Sequence, residues 1–273
     1  VVSQEQRRRQ LAREKYLRQQ QRRTSARRKS RMRNSVIASV LGVVVIGSVA
    51  LYTTGVLKGN DDKANASASV SPSPSASKKV PDPCEKPAKG AVKKQSWKKE
   101  PAVTIDKSAA YTMKLATTCG DIGIALKASA APHTVNSFNF LAGKGFFDHT
   151  KCHRLTTNGI YVLQCGDPTA SGSGGPGYTI PDENLKDKSL KGNVYPAGTV
   201  AMANTGQPHS GGSQFFLVYQ DSQLPPSYAP FGTIDAAGMK VLKKIAAAGE
   251  NTGAGDGAPN ATVVIDKATV AKS

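Results

Sequence analysis

Between positions 101 and 273 the chain alternates apolar with small or polar residues in several short runs. Tyr111–Thr117 is one such run. Cys119-Gly120-Asp121 supplies a turn, and Ile122, Ile124 and Leu126 continue the pattern, so the spacing predicts a hairpin. Pro132 followed by Val135, Phe138 and Leu141 predicts a helix ending at Gly143 or Gly145. Residues 152–156 and 161–165 read as strands around a turn at Asn158-Gly159. Short apolar strands follow at 199–203, 214–219 and 231–234. Val241, Leu242 and Ile245 mark a second helix over 239–248, stopped by Gly249, and Ala261–Ile265 reads as a last strand. Many short strands with two helices predict a mainly β antiparallel barrel and argue against alternating βαβ units.

The pattern before residue 101 is different. Residues 36–57 carry no charge, and their apolar density is greatest from Val36 to Tyr52. As a helix they would reach ~33 Å, enough to cross a bilayer core of ~30 Å. A single transmembrane helix over 36–57 is therefore expected, with a cleaved signal peptide ending near Ser48-Val49-Ala50 as its rival. The stretch ahead of it is long for a signal peptide's charged region, which favours an uncleaved anchor. Residues 58–100 are rich in Ala, Ser, Pro and Lys and read as a disordered linker spanning roughly 35–40 Å.

Charge changes the reading of the whole. The net +18 divides into +11 for residues 1–35, zero for 36–57, +5 for 58–100 and +2 for 101–273. The region able to build a core is nearly neutral, so overall basicity gives no ground for a nucleic-acid partner. The arginine-rich 1–35 reads as a cytoplasmic tail that touches anionic lipid. By the positive-inside rule it directs 101–273 outward, giving an extracytoplasmic domain at the cell membrane.

Four cysteines, at 84, 119, 152 and 165, allow three pairings. Cys152 and Cys165 flank the open end of the 152–165 hairpin, which favours that pair and leaves Cys84 with Cys119. A zinc site using Cys152 and the adjacent His153 is the alternative, but no Cys-x-x-Cys or His-x-x-x-His spacing is present.

The chemistry concentrates in a few segments. Arg154 lies in a strand-like stretch ten residues before Gln164, and Gly212-Ser213-Gln214-Phe215-Phe216 comes fifty residues later. A guanidinium beside a core is costly unless it has work there. Gly172-Ser173-Gly174-Gly175-Pro176-Gly177 formally matches a dinucleotide fingerprint. It precedes Tyr178-Thr179-Ile180-Pro181, however, where that mechanism needs a helix. Ser213, in Gly211-Gly212-Ser213-Gln214-Phe215, lacks the second glycine of a nucleophile elbow.

Taken in order, the segments His153-Arg154, Gln164-x-Gly166-Asp167-Pro168-Thr169, 174–178, Asp182-Glu183, 198–204, 212–216 and Phe231-Gly232 closely resemble the cyclophilin-type peptidyl-prolyl cis-trans isomerases over about 105–270. The tail, apolar segment and linker resemble membrane-anchored actinobacterial members. The resemblance implies a closed eight-stranded antiparallel barrel capped by two helices, requiring no cofactor or metal. The essential arginine falls on Arg154, with His153 beside it and Gln164 orienting it. Substrate contacts fall on Tyr161, Val162, Ala203, Asn204, Gln214, Phe216, Leu224 and Tyr228. The connection from Arg154 to Gln164 is two residues longer than the family's usual spacing. Gln223 stands near the position of the tryptophan that holds cyclosporin in animal members. The expected partners are proline-containing polypeptides outside the membrane, acted on by a monomer. A tethered proline-peptide binder or holdase with little turnover is the alternative.

Overall fold

The computed structural model describes residues 81–272. Within them, Tyr111–Thr117 (β1) and Gly120–Leu126 (β2) form the expected hairpin, paired in register from Tyr111 opposite Leu126 to Thr117 opposite Gly120. The side chains of Met113, Leu115, Ile122 and Ile124 are buried, so the period of two selects the face that meets the core. The remaining strands are Thr150–Lys151 (β3), Arg154–Thr156 (β4), Val162–Cys165 (β5), Val194–Tyr195 (β6), Thr199–Met202 (β7), Phe215–Val218 (β8), Ser222–Gln223 (β9), Pro230–Ile234 (β10), Asp256–Gly257 (β11) and Val264–Lys272 (β12). Ten of them make one curled antiparallel sheet in the order β11-β4-β5-β8-β7-β10-β2-β1-β12-β3, and β6 pairs with β9 in a separate ribbon.

The expected closed eight-stranded barrel differs from this sheet, whose two ends, β11 and β3, are not joined by a ladder. The short segment from Thr150 to Thr156 links the two regions of the sheet instead. Its first part pairs with β12 and its last part with β5. Between them, the Cys152 N–H donates to Val263 O at 3.0 Å and the His153 N–H to Gln164 O at 3.0 Å. The final strand also starts later and runs further than 261–265, because Val264 onward pairs with nearly the whole of β1.

Two helices pack on the sheet, Pro132–Gly143 (α1) and Ala236–Ala247 (α2). Pro132 opens α1, where its missing N–H costs nothing. The Glu183 carboxylate accepts from the His133 and Thr134 N–H groups and from the Thr134 hydroxyl, closing the first turn. Asp235 caps α2 through the Gly238 N–H at 2.6 Å. Phe138 of α1 sits at the centre of the core, 4.5 Å from the Phe231 ring and 5.4 Å from Phe215, centroid to centroid.

The boundary expected at residue 101 moves, because the described part of the linker, residues 81–100, lies along the domain. Cys84 is bonded to Cys119, and the Glu85 N–H donates to Thr118 O at 2.8 Å. The Ala88 N–H donates to Asp266, the Trp97 N–H reaches Pro176 O, and the Trp97 ring meets Phe140 edge-on at 5.1 Å. Composition reads this stretch as linker; one cysteine and one tryptophan hold it in place through contacts remote in sequence. Among the described residues no helix is long and apolar enough to cross a membrane. The expected anchor, tail and first part of the linker lie outside them.

Candidate active site

Strand pairing sets Arg154 opposite Gln164, Gln164 opposite Phe216, and Phe216 opposite Ala201. Four residues from four segments of sequence thereby form one row across β4, β5, β8 and β7. Alternation separates the two faces of the sheet at this row. Leu163, Cys165, Phe215, Leu217, Val200 and Met202 enter the main core. Val162, Phe216, Val218 and Ala201 form a second apolar cluster with the fully buried Tyr195. Ala203, Leu224 and Tyr228 pack against that cluster while remaining partly open.

The polar end of the row is a hydrogen-bonded chain. Arg154 Nη1 donates to Gln164 Oε1 at 3.2 Å, Gln164 Nε2 donates to Gln214 Oε1 at 2.8 Å, and Gln214 Nε2 donates to Gly174 O at 2.9 Å. The other side of the guanidinium meets Asp256 of β11, with Nε to Oδ1 and Nη2 to Oδ2 both at 2.7 Å. These hydrogen bonds hold the Asp256 carboxyl below its ordinary range, and the same contact raises Arg154 further above its own. Arg154 is charged at any accessible pH.

Beside the chain opens a cleft of about 840 Å³ lined by Gln164, Gln214, Ala203, Asn204, the 172–179 loop and residues 98–100. The loop is organised around Asp167, whose fully buried carboxylate accepts from the N–H groups of Thr169, Ser171, Gly172 and Gly174. Burial opposes ionisation there, and the donors more than offset it, holding the pKa low. The glycine run at 172–177 is thus one wall of the cleft and continues into extended chain. Ser213 is buried, with its hydroxyl donating to Gly166 O at 2.7 Å, so it is a structural residue. Gly166 has φ +86°, and a Cβ there would lie 2.2 Å from Ser213 O, so only glycine fits.

The structure gathers most of the expected site residues. Asn204 spends its side chain locally, Nδ2 donating to Ser227 O and Oδ1 accepting from the Gly206 N–H. Its backbone has no partner among the described residues, as a peptide-pairing position requires. The Ala203 N–H, in contrast, already donates to Gln214 O. Tyr228 meets Phe216 edge-on at 5.4 Å. Its loop is held by Tyr195, whose hydroxyl donates to Tyr228 O at 2.8 Å.

Two expected residues stand apart. Tyr161 packs on Tyr219 at 5.8 Å and is absent from the apolar cluster, which Val162 joins instead. Opposite parity on one extended segment decides between them. The His153 ring is near Gly172, neither ring nitrogen has a hydrogen-bond partner, and burial lowers its pKa. It is not part of the Arg154 chain. Cys152–Cys165 and Cys84–Cys119 are disulfides, as the hairpin reading favoured, which removes Cys152 as a zinc ligand.

Asp256, Tyr195, Ala201 and residues 98–100 are additions that sequence reasoning missed. Asp256 lies in Gly253-Ala254-Gly255-Asp256-Gly257, a stretch without periodicity or motif. The only available signal was a carboxylate in the segment preceding the last strand.

Comparison with known proteins follows this geometry. Residues 112–270 match the family model for cyclophilin type peptidyl-prolyl cis-trans isomerase/CLD. The chain is 52% identical over 166 residues to a probable peptidyl-prolyl cis-trans isomerase B of Mycobacterium leprae (strain TN), covering 58% of this chain and 56% of that protein. It is 48% identical over 165 residues to the Mycobacterium tuberculosis (strain H37Rv) protein of the same description, covering 58% and 53%. The chain spans about half the length of these curated relatives. The crystal structure of a Cryptosporidium parvum cyclophilin type peptidyl-prolyl cis-trans isomerase superposes with TM-score 0.50 at 25% identity, over 60% of this chain and 99% of that one.

Proposed function

The chain belongs to the cyclophilin-type peptidyl-prolyl cis-trans isomerases, and from that membership we propose that it catalyses cis-trans exchange at Xaa-Pro bonds of polypeptides. The observation that carries the reading is the single row in which a held guanidinium, Arg154, adjoins Gln164 and then the apolar Phe216. An Xaa-Pro bond resists rotation by ~18–20 kcal/mol because the nitrogen lone pair is shared with the carbonyl. Lowering that barrier calls for a wall that holds the proline ring and a donor that meets the nitrogen as it pyramidalises.

Phe216, Val162, Leu224 and Tyr228 form the wall. The Asn204 backbone pairs with the peptide, and Gln164 and Gln214 orient the donor and the substrate carbonyl. A free N–H of Arg154 donates to the prolyl nitrogen, localises its lone pair and weakens the double-bond character of the amide. The donor is in place before the bond twists, which makes this stabilisation of the transition state by preorganised charge. No covalent intermediate arises.

The setting proposed for this activity is the outer side of a membrane, with 36–57 as the anchor, residues 1–35 on the cytoplasmic side and newly exported chains with slow Xaa-Pro bonds as substrates. The uncharged stretch at 36–57 supports this, and so do two disulfides, which persist in oxidising compartments. The test is exchange spectroscopy on a short Ala-Pro peptide with the full chain. Exchange accelerated in proportion to protein concentration is expected; binding without acceleration would make the protein a tethered proline-peptide binder.

A further inference from the structure

Arg154, opposite Gln164 at the end of the row, has three of its five N–H groups already engaged. Two of these hydrogen bonds, Nε to Oδ1 and Nη2 to Oδ2 of Asp256, form a parallel fork at 2.7 Å each. The third runs from Nη1 to Gln164. Fork and carboxamide grip the planar group from two sides, so neither its position nor its rotation is free. One N–H on Nη1 and one on Nη2 are left over.

The carboxylate is itself placed by a built loop. Strand β11 pairs with β4, with Asp256 opposite Thr156 and Gly257 opposite Leu155. The Thr157 N–H donates to Gly255 O at 2.9 Å. Upstream, the mostly buried Glu250 accepts from the Thr252 N–H and hydroxyl, both at 2.6 Å, and from the Gly255 N–H at 2.9 Å. Asn260 Nδ2 donates to the carbonyls of Ala248 and Glu250, closing the base of the loop. Gly255, at φ +89°, would place a Cβ 2.5 Å from the Asn158 Cβ, so the loop lies hard against the β4–β5 turn.

We infer that Asp256 is a positioning residue for catalysis, acting through Arg154 by fixing the guanidinium plane so that its two free N–H groups meet the twisting prolyl bond. This rests on the isomerase reading above and deepens it. Paired with a carboxylate, the guanidinium acts as a directed hydrogen-bond donor; as a free cation it would also attract acidic peptides that need no isomerisation. The 249–260 loop thereby becomes part of the active-site scaffold, although it contributes nothing to the apolar wall.

The experiment compares the full chain with its Asp256→Ala and Asp256→Glu variants by peptide exchange spectroscopy, with Arg154→Ala and the Arg154→Ala/Asp256→Ala pair completing a double-mutant cycle. Asp256→Ala is expected to lower kcat about tenfold while KM stays within about twofold, and Asp256→Glu to recover part of the loss. In the Arg154→Ala background, removing Asp256 is expected to change nothing further, because the residue it acts through is gone. The Arg154 Nε–H resonance is expected to be protected from solvent exchange in the wild type and to lose that protection in Asp256→Ala.

Wild-type turnover in Asp256→Ala overturns the inference, as does an equal loss with and without Arg154, which would make the loop a scaffold only. Absence of turnover in the wild type overturns the isomerase reading and this inference with it. Should Asp256→Ala fail to fold, Asp256→Asn, which keeps the shape and one acceptor oxygen, carries the same comparison.

Discussion

Gln164 stands opposite Phe216 across the β5–β8 ladder while its carboxamide oxygen accepts from Arg154 Nη1 at 3.2 Å. One residue therefore touches both halves of the site, the polar edge and the apolar wall. Side chains opposite one another in neighbouring strands lie ~4.5–5.5 Å apart at Cβ. Arg154 and Phe216 flank Gln164 on either side, and the proposed mechanism requires a proline ring on Phe216 to bring its amide nitrogen to the Arg154 head.

Arg154→Ala is expected to lower kcat/KM on an Ala-Pro peptide by roughly two to three orders of magnitude, with far-ultraviolet circular dichroism unchanged. Arg154→Lys should recover little, because an ammonium cannot form the fork to Asp256 and reach Gln164 together. Exchange spectroscopy measures both. Full activity in either variant would refute the role given to Arg154.

Val162 and Tyr161 should separate sharply. Val162 is buried in the apolar cluster of the groove, whereas Tyr161 packs on Tyr219. Val162→Ala is expected to raise KM severalfold, roughly the loss of one or two buried methyl groups against the proline ring, and Tyr161→Ala to leave KM as it is. The reverse result in peptide titrations would show that the turn has shifted register by one.

Removing Trp97 tests whether residues 81–100 belong to the folded unit. The ring lies against Phe140 and Phe146, and the residue's backbone N–H donates to Pro176 O beside the cleft. Trp97→Ala should cost about 3 kcal/mol in urea unfolding and raise KM, since residues 98–100 line the same cleft. A change below about 0.5 kcal/mol would return this stretch to the linker.

Cys152–Cys165 joins the segment leading into β4, which carries Arg154, to β5, which carries Gln164, across a separation of 13 residues. Replacing both cysteines with alanine is expected to cost about 3 kcal/mol, the chain entropy of a loop that size. Activity should fall only modestly, because the β4–β5 ladder still sets Arg154 opposite Gln164. Denaturant unfolding with and without reductant gives the comparison.

His153 supplies a pH test. Burial depresses its pKa in the folded chain below the ordinary 6.5, so the unfolded chain binds more protons just under that value. Its neutral form therefore supports the fold fully above about pH 6.5, and stability declines as pH falls from there toward the depressed folded value. His153→Phe should flatten the fall in melting temperature between pH 7 and 5. An unchanged slope would show that the ring titrates as if exposed.

Much of this was legible in the chain. Tyr111–Thr117 and the start of β2 follow from alternation alone, and Pro132 with its helical spacing gives α1. Arg154, Gln164, Asn204, Gln214 and Phe216 were legible as an ordered series of segments resembling a known family; Gln164, Asn204 and Gln214 line the cleft, Phe216 lies in the apolar cluster, and Arg154 joins them through its hydrogen bond to Gln164. Strands β3, β6, β9 and β11 were not legible, because each is two residues long and a period of two needs more than one cycle to be seen. The parity of Tyr161 and Val162 was also hidden. The turn between β4 and β5 is longer than usual, and a one-residue slip there exchanges the two faces.

While the candidate site residues came from its resemblance to a known family, the sequence by itself determined which of the longer stretches can be strands and helices and the separation of a basic tail, an uncharged segment and a core-forming region. These properties depend on neighbours a few positions away, and local spacing records them. The tertiary structure alone decided that Asp256 grips Arg154 from 102 residues away, that Trp97 and Cys84 draw a linker-like stretch onto the domain, and that Arg154, Gln164, Phe216 and Ala201 share one row. Those relations arise from ladder register and packing between segments remote along the chain. No single segment carries them, since each partner's composition is compatible with many other neighbours.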